Sequence, residues 1–586
     1  MNFKQLSRIG IAAMFLVSAA SCSSDMELNK GNDLSQPVAD GQNVVSFVIR
    51  NATDVQTRAD ETNEDLDNFE IGKGNESDIK NVTLVFFKAN GDFFSAATPE
   101  FTSNKDFTPE HTQENLLEAQ VKLTIKEGVR PKYVLCIING VDKPYDQNGN
   151  TINELSLTQN KPTMTTMLNS VGAFEVELDA SGKTPKEPLM MSNSSYIKFA
   201  ADGTESLVNV TEIPEKAFIT ADEKRDETTG KYYDAEGNEV EHETVHIDVE
   251  RINSRIHLVS ELDQPERVKP TEVSFDGEIV KIYPKVLAVE ITQRTKKSYL
   301  VKSLEGNESY DVMDWKSKLY PRSYWATAPA LVAWNATGSD GKFLDDKSDY
   351  YYKTFDQMED NVNNEKEWMY YPQENTSDLY TAVIVKAILC DEKGEPMQDL
   401  IDVTGTRKFF ITMDAYRKTV ANELIKLGLT FHKPGDDGST VESNDWAPMI
   451  DLRRDENPDG STLGVVPFLN YGNNPDKINE DDLNAAVEAL KKFDPVLCYK
   501  EGMCFYSEPI LHDLLYNDES GNVSRKKGLV RNHAYEVTLK TIKGLGSPIY
   551  DPDQIIIPAK PDEIVELEAE IHPLKWKTVH QDVDLK

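Results

Sequence analysis

Short runs of β-branched and aromatic residues recur along the chain, and several of them alternate with polar residues. Alternation with a period of two predicts β-strands, because successive side chains of a strand point to opposite faces. Turn-forming Gly, Asn and Asp residues separate several of these runs, at 89–92, 148–150, 236–238 and 435–438. The predicted strands are 44–49, 81–87, 133–138, 174–178, 244–258, 283–291, 382–389, 408–412, 535–542 and 564–571.

Helical patterns are few. The clearest is 479–492, which begins with acidic residues and ends with lysines, as the helix dipole favours. A weaker helical pattern covers 164–171. Many short strands with few helices predict an all-β fold built from antiparallel β-sandwiches rather than a parallel sheet with crossover helices.

The stretch 221–241 is polar and typical of a loop or linker, so we predict the main domain boundary near residue 240. This gives an N-terminal β-sandwich domain over 59–240 and a C-terminal one over 241–560. A terminal segment, 561–586, follows the second domain.

The first residues indicate export. Lys4 and Arg8 precede an apolar run, 9–20, which is too short to span a bilayer, and small residues lead directly to Cys22. This is typical of a bacterial lipoprotein signal peptide over 1–21, with lipid attached to Cys22 after cleavage. The alternative is an ordinary secretory signal with an incidental cysteine. No other run approaches the ~20 apolar residues of a membrane helix.

The composition narrows the class of protein. The 586 residues include 22 Phe, 23 Tyr and 6 Trp, which argues for packed cores rather than wholesale disorder. There are 63 basic and 100 acidic side chains, a formal charge of −37. Nucleic acid is excluded as a partner, because binding it depends largely on Lys and Arg neutralising phosphates. Adsorption to an anionic membrane surface is disfavoured for the same reason.

Four cysteines remain once Cys22 carries lipid. Cys136 and Cys390 lie in apolar strand-like runs and are predicted to be buried thiols. Cys498 and Cys504 flank a short segment containing glycine. Their spacing leaves open whether they form a disulfide, because that depends on a geometry the sequence does not show.

Residues 242–246 match the zinc-protease pattern H-E-x-x-H. The zinc site needs a helix, which brings both histidines to one face. Here the residues alternate with strand period, which places His242 and His246 roughly 13 Å apart, too far to share one Zn²⁺. The pattern therefore predicts a strand.

A second metal-like pattern, Asp455, Asn457, Asp459 and Gly460, matches the first half of an EF-hand loop. The bidentate Glu of such a loop would fall at Val466, so a plain turn is favoured. No other catalytic motif is present, and we predict neither an enzyme nor a metal nor a cofactor.

The two ends of the exported chain carry more information. Near the N-terminus, Val45, Phe47 and Ile49 share one face of a predicted strand, and a polar, acidic stretch containing Arg58 and Ala59 follows. Such a stretch is accessible to proteases, and cleavage after Arg58 would remove the lipid and the strand together. The alternative is an unremarkable arginine in a linker.

The C-terminal end carries a long amphipathic strand pattern after a Pro-containing linker. Apolar residues alternate with glutamates, Pro573 interrupts, and the apolar alternation then resumes against lysines. Such a strand either pairs within its own fold or adds to an open sheet of a neighbouring molecule. Its apolar positions are Val565, Leu567, Ala569, Ile571, Leu574 and Trp576.

This tail, VELEAEIHPLKWKTVHQDVDL, is similar to the end of the Mfa-type fimbrillins, the shaft subunits of type V fimbriae in Bacteroides-group bacteria. The resemblance extends to further blocks from the signal peptide onward. They are 249–259, 296–302, 374–376, 499–506 with Ile510 and His512, and 528–535 running into LKTIKGLGSPIYDPD.

The resemblance implies two transthyretin-like β-sandwich domains and a lipoprotein precursor, moved to the cell outer membrane. An Arg-specific surface protease cuts after Arg58, so that 22–58 is a propeptide with a removable strand. The C-terminal strand of the next copy then fills the groove that this strand leaves. Implied partners are copies of the same chain and fimbrial anchor and tip subunits, in a fimbria that supports adhesion and biofilm formation. The alternative is an anchor or accessory lipoprotein that keeps its lipid.

Overall fold

The structure is a computed structural model. It describes residues 41–51, 69–71, 74–103, 117–125, 128–146, 148–199, 205–226, 228–275, 277–303, 329, 350–363, 365–375, 379–403, 408–434, 437, 439–456, 462–470, 480–518, 521–558 and 567–577. Strands dominate this part of the chain, and helices are few and short. The all-β prediction is confirmed.

The first strands in the chain form mainly one large sheet. They are β1 (Gln42–Asn51), β2 (Phe69–Ile71), β3 (Val82–Phe87), β4 (Phe93–Ala97), β5 (Phe101–Ser103), β6 (Leu117–Thr124), β7 (Tyr133–Ile138), β8 (Val171–Gly172), β9 (Met191–Asn193), β10 (Tyr196–Phe199), β11 (Glu205–Val208), β12 (Thr211–Glu212), β13 (Phe218–Thr220), β14 (Lys224–Arg225), β15 (Tyr232–Tyr233), β16 (Glu239–Val240) and β17 (Val245–Arg251). Two helices, α1 (Glu154–Asn160) and α2 (Met164–Leu168), lie among them.

This sheet has the order β4-β3-β7-β9-β17-β1-β6-β5, with β12 and β13 attached to β7 and β1. Its strands alternate as the sequence predicts. In β3, one set of positions, with Leu84 and Phe86, joins a core with β1 and β17, while Val85 and Phe87 pack on the other side with residues of α1 and α2. The sheet therefore has apolar clusters on both faces, and β1 contributes to the first of them.

The remaining strands build a sandwich and an insertion. They are β18 (Arg255–Ser260), β19 (Thr271–Phe275), β20 (Glu278–Thr292), β21 (Arg294–Thr295), β22 (Ser298–Tyr299), β23 (Tyr350–Tyr351), β24 (Glu367–Tyr370), β25 (Ala382–Cys390), β26 (Asp399–Val403), β27 (Lys408–Phe410), β28 (Phe431–Pro434), β29 (Thr440–Ser443), β30 (Ile450–Glu456), β31 (Thr462–Leu469), β32 (Leu497–Lys500), β33 (Met503–Pro509), β34 (His512–Asp518), β35 (Gly521–Lys527), β36 (His533–Ile542), β37 (Ser547–Pro548) and β38 (Leu567–Lys577). The helices here are α3 (Met413–Lys426) and α4 (Glu480–Leu490).

Two five-stranded sheets face each other across the sandwich core, in the orders β2-β38-β36-β18-β24 and β19-β20-β25-β33-β37. Ile256 and Val537 come from the first sheet, and Val385 and Tyr506 from the second. These side chains are at most 2% exposed. The apolar alternation of the strands thus builds one continuous core between the sheets.

An insertion separates β25 from β33, although these two strands are antiparallel neighbours in one sheet. It contains α3, α4 and the strands from β26 to β32, and it has its own core around the fully buried Trp446. The indole Nε1 of Trp446 donates to the Leu429 carbonyl at 3.1 Å, which satisfies its one polar atom. No pattern in the sequence predicted this insertion.

Most of the predicted elements are confirmed. The helix predicted at 479–492 is α4, and the weaker pattern from 164 contains α2, although Val171 begins β8. The strand predicted over 174–178 is wrong, because 173–177 carry no strand pairing. The run 244–258 is two strands, β17 and β18, and the chain passes between them from one sheet to the other. The division at residue 240 and the transthyretin-like arrangement stay predictions.

Candidate functional site

Strand β1 lies inside its sheet, with neighbours along both edges. On one edge, residues 42–49 pair with β6 in antiparallel fashion. On the other edge, residues 43–45 pair with β13, and 47–51 pair in parallel with β17. A parallel neighbour must come from a distant part of the chain, because parallel strands need a long crossover. β1 therefore joins strands that are far apart in sequence.

The predicted face of β1 is fully buried. Val45, Phe47 and Ile49 are at most 1% exposed and share one core with residues of β3, β6, β7 and β17. The Phe47 ring lies 5.8 Å from that of Phe86, at an interplanar angle of 52°. Burial of large apolar side chains is worth about 1.5–3 kcal/mol each. Strand β1 is thus an integral part of the core.

Strand β38 pairs with β36 in the sandwich, antiparallel, from Leu567 opposite Ile542 to Lys575 opposite His533. Leu567 is fully buried in the sandwich core. Ala569 and Ile571 lie opposite Leu539 and Val537, which are also core residues. The predicted amphipathic strand is confirmed, and in this structure it pairs within its own chain.

The pairing of β38 with β36 continues through Pro573 without a shift in register. Positions 567, 569 and 571 therefore share one face of the sheet, while 574 and 576 belong to the other face. Leu574 lies opposite Ala534, which packs in a small cluster with Leu189 and Tyr371. Five of the six apolar positions named from the sequence lie in the described part of the chain, and these five divide between two faces of the sheet.

The outer edge of β38 is paired with β2. Residues 69–71 run parallel to 575–577, with Glu70 opposite Trp576. In the sequence, strand β2 comes after residue 58 and before β3 of the N-terminal sheet. In the fold it nevertheless belongs to the sandwich of the C-terminal part. Three residues are too few for a sequence pattern, and no strand was predicted there. Cys22, Arg58, Ala59 and Val565 lie outside the described residues.

Residues 242–244 of the H-E-x-x-H pattern precede β17, and its last two residues, Val245 and His246, begin the strand, so the strand prediction is confirmed for the end of the pattern. His242 Nε2 lies 2.6 Å from the Glu223 carboxylate, and its Nδ1 is 3.0 Å from the Lys216 carbonyl. His246 lies in β17 between the buried Val245 and Ile247. Among the described residues, no group of three or more His, Cys, Asp or Glu side chains could hold a metal ion.

The second metal-like pattern lies on the β30–β31 hairpin. Asp455 pairs with Gly464, and Val466 pairs with Arg453. The pattern therefore belongs to two antiparallel strands and the connection between them, and residues 457–460 are outside the described part.

The cysteines at 136, 390, 498 and 504 are all buried free thiols. For Cys136 and Cys390 this confirms the prediction. Cys498 and Cys504 lie on β32 and β33, which belong to different sheets, so the disulfide that the spacing left open is not formed. Burial raises the pKa of the Cys498 thiol to about 12.

The block 528–535 has a structural role that the sequence did not reveal. Arg531 and Glu374 form a fully buried ion pair, with Arg531 Nε 3.0 Å from Glu374 Oε1. Tyr535 accepts a hydrogen bond from the Val530 amide at 2.8 Å. A side chain at Gly528 would meet the Asn375 carbonyl oxygen at 2.0 Å, so only glycine fits there. The block locks the segment before β36 against residues 374–375.

Residues 498–582, from β32 through β38, match the family described as "Major fimbrial subunit protein type IV, Fimbrillin, C-terminal". The fimbrillin resemblance is confirmed over these residues. The fimbrillin segment contains both the buried Arg531 and the paired strands β36 and β38. No curated protein matches the chain.

Several solved structures share a weak likeness with this chain. A candidate cell adhesion protein from Parabacteroides distasonis has 12% identity over 93% of this chain and 100% of that one, with a TM-score of 0.33. The tip fimbrial protein Mfa3 from Porphyromonas gingivalis, with a C-terminal truncation, has 8% identity over 91% and 100%, with a TM-score of 0.27. The fimbrial anchor protein Mfa2 from the same organism has 9% identity over 60% and 80%, with a TM-score of 0.23. Scores this low carry no functional argument.

In the part of the chain that the structure describes, no helix is long and apolar enough to cross a membrane.

Proposed function

We propose that this chain is the shaft subunit of a surface fimbria. It is exported as a lipoprotein on Cys22, cut after Arg58 by an Arg-specific protease, and polymerised when β38 of one copy replaces β1 of the next. The fibre supports adhesion and biofilm formation. The observation that carries the proposal is the position of β1, which has neighbours on both edges and a fully buried face.

Removal of residues up to Arg58 takes β1 out of the sheet. The facing edges of β6 and β17 then lose their partner, and core residues such as Val121 and Ile247 lose the cover of Phe47. Unpaired backbone groups over an apolar floor form a binding site for an extended segment. This slot between β6 and β17 fits a strand of alternating apolar residues better than any other element.

Strand β38 has the properties that this slot requires. It has 11 residues against 10 in β1. In its own sheet it already has an antiparallel neighbour, β36, and a parallel one, β2. A strand that replaces β1 in the same direction has the same two kinds of neighbour, β6 and β17. The spacing of Leu567, Ala569 and Ile571 equals that of Val45, Phe47 and Ile49.

The exchange also has a driving force. In its own sheet β38 is paired along its length on one edge but only over 575–577 on the other. In the slot, both edges have partners along most of the strand. Seating the large apolar side chains of Leu567 and Ile571 in the slot contributes about 1.5–3 kcal/mol each, which offsets the loss of the Leu567 burial in its own core, and the second paired edge then favours the slot. Head-to-tail addition of this kind gives an open filament.

The alternative is an anchor or accessory subunit that keeps its lipid. A shaft subunit needs both a removable strand and a donor strand, whereas an anchored subunit keeps the first. Mass spectrometry of protein extracted from surface fibres separates the two: a new N-terminus at Ala59 supports the shaft. Lipidated Cys22 in the assembled fibre contradicts it.

The donor strand is tested in vitro with protein from which 1–58 has been removed by an Arg-specific protease. We expect it to form fibres, and Ile571→Asp to abolish them, because that position shares the face of Leu567 and lies opposite the core residue Val537. Glu570→Gln, one residue away on the opposite face, is the matched control and should assemble normally. Fibres of normal length from the Ile571→Asp protein would refute the assignment of β38 as the donor.

A further inference from the structure

Strand β38 is held in its own sheet from two sides at one end. Lys575 pairs with His533 of β36 on one edge and with Phe69 of β2 on the other, and the next two residues, 576–577, pair with β2. At the opposite end, Leu567 is fully buried and pairs with Ile542. Between these ends, β36 is the one strand in the described part of the chain that pairs with β38.

A strand leaves a sheet most easily by peeling from one end, because each step then breaks few hydrogen bonds. In β38 the end at Leu567 is opposed by burial of that side chain. At the other end, peeling must first break the pairing of 576–577 with β2, and then the pairing of Lys575 with both β2 and β36. Without β2, residues 575–577 would form an open edge, from which separation could begin.

Strand β2 is anchored on the side that remains after cleavage. It is followed closely by residues 74–76, where Glu76 is 4% exposed. The Tyr371 hydroxyl donates to Glu76 Oε1 at 2.6 Å, and Arg255 Nη1 lies 3.4 Å from Glu76 Oε2. Both partners belong to the sandwich side of the molecule, so this contact keeps β2 beside β38.

We propose that β2 is an autoinhibitory clamp, which retains β38 in the subunit's own sheet until an open acceptor slot competes for it. The proposal rests on the proposed function, in which β38 is the donor strand. Before cleavage, β2 is connected to β1 through 52–68 and to Glu76 through 72–73. Cleavage after Arg58 removes the first connection and leaves the second. The clamp thus opposes premature assembly in the precursor, where a released donor strand would be an aggregation site.

Hydrogen–deuterium exchange of the uncleaved precursor tests the clamp without any need for polymerisation. Glu70→Pro removes an amide from β2 and weakens its pairing with β38. We expect amide exchange in 567–577 to become about tenfold faster, since a few net hydrogen bonds are lost. Glu442→Pro, an exposed Glu→Pro change in the distant hairpin strand β29, is the matched control and should leave exchange in 567–577 unchanged.

A variant that strengthens the pairing of β2 with β38 distinguishes loss of the clamp from a simple folding defect. Glu70→Val raises the strand propensity of β2, and exchange in 567–577 should become slower than in the natural protein. If neither Glu70 variant changes the exchange of 567–577, or if Glu442→Pro changes it equally, β2 is not a clamp.

Measuring fibre assembly of the same proteins after cleavage tests the shaft function and the β2 clamp separately. With a working clamp, Glu70→Pro shortens the lag before fibres appear, and Glu70→Val lengthens it. Altered exchange in a protein that never forms fibres would support the clamp and contradict the shaft function. Normal fibre formation with unaltered exchange would support the shaft function and contradict the clamp.

Discussion

Arg531 and Glu374 are joined as an ion pair in which neither side chain is exposed to solvent. Arg531 also donates to the Ser298 hydroxyl at 2.9 Å and to the Tyr299 carbonyl at 2.7 Å. The guanidinium therefore connects β22 and the segment after β24 to the start of β36. Both residues belong to blocks that resemble fimbrillins, and both act in packing the fold.

Removing one partner of this pair should be costly. We expect Glu374→Ala to lower the free energy of unfolding by about 3–5 kcal/mol, because it leaves a buried guanidinium without its counter-ion. Chemical denaturation of the precursor measures the change. The matched control is Glu187→Ala, which breaks the exposed Lys80–Glu187 pair and should have a far smaller effect.

The double variant Arg531→Met/Glu374→Met removes both charges and tests the same pair differently. It should be more stable than Glu374→Ala, because no buried charge is left unpaired. Equal losses for Glu374→Ala and Glu187→Ala would show that the pair is not buried in solution.

Phe47 should affect the stability of the precursor but not that of the assembled fibre. Phe47→Ala should destabilise the precursor by about 3–5 kcal/mol, since a fully buried ring is replaced by a cavity. Fibres made from the cleaved Phe47→Ala protein should have the same thermal stability as natural fibres, because β1 is absent from them. Val48→Ala, at a half-buried position of the same strand, serves as the control and should have a much smaller effect. A lowered melting temperature of the fibres would mean that β1 is retained.

His257 should give the stability a dependence on pH. The hydrogen bond with Glu536, 2.5 Å from Nδ1, raises its pKa above the ordinary value, with further help from the Glu367 carboxylate, while burial and Arg255 oppose the rise. A raised pKa in the folded state means that the stabilisation is complete below the unfolded pKa of about 6.5. It is lost as the pH rises through the folded pKa.

The free energy of unfolding should therefore decrease by up to about 1 kcal/mol between about pH 6 and 8, a small amount because His257 is partly exposed. In His257→Gln this part of the decrease should vanish. Glu536→Gln, which removes the negative charge of the carboxylate and keeps the histidine, should flatten the same curve. Identical curves for the natural protein and both variants would exclude the interaction.

The four buried thiols can be counted directly. Cys136, Cys390, Cys498 and Cys504 should not react with a thiol reagent in the native protein, because burial blocks access to all four. Burial also raises the pKa of the first three thiols. After denaturation without reductant, all four should react, and Cys498→Ser should lower the number by one. Two fewer reactive thiols in the natural protein would indicate a disulfide.

The failed strand at 174–178 shows where local pattern misleads. The apolar alternation there resembles that of a strand, but the Phe174 amide donates to the Gln373 side chain at 3.2 Å. The Phe174 carbonyl accepts from the Asn253 side chain at 2.9 Å. Side-chain amides from distant parts of the chain take the place of a strand neighbour. These contacts cannot be predicted from residues 174–178 alone.

The insertion between β25 and β33 was missed for a related reason. Its strands have the same local alternation as those of the sandwich, so the sequence does not tell which core each will join. The neighbouring positions of Ile388 and Met503 in one sheet follow only from the folded chain.

The sequence by itself determined that the protein is built of short strands and that the strands around Phe47 and Ile571 are amphipathic, since both follow from the alternation of neighbouring residues. Tertiary structure alone decided that β1 is enclosed between β6 and β17 and that β38 lies between β36 and β2. Strand pairing joins residues hundreds of positions apart, as with Glu70 and Trp576. The choice of strand partner depends on which faces bury one another in the complete fold, so it cannot be predicted from a local pattern.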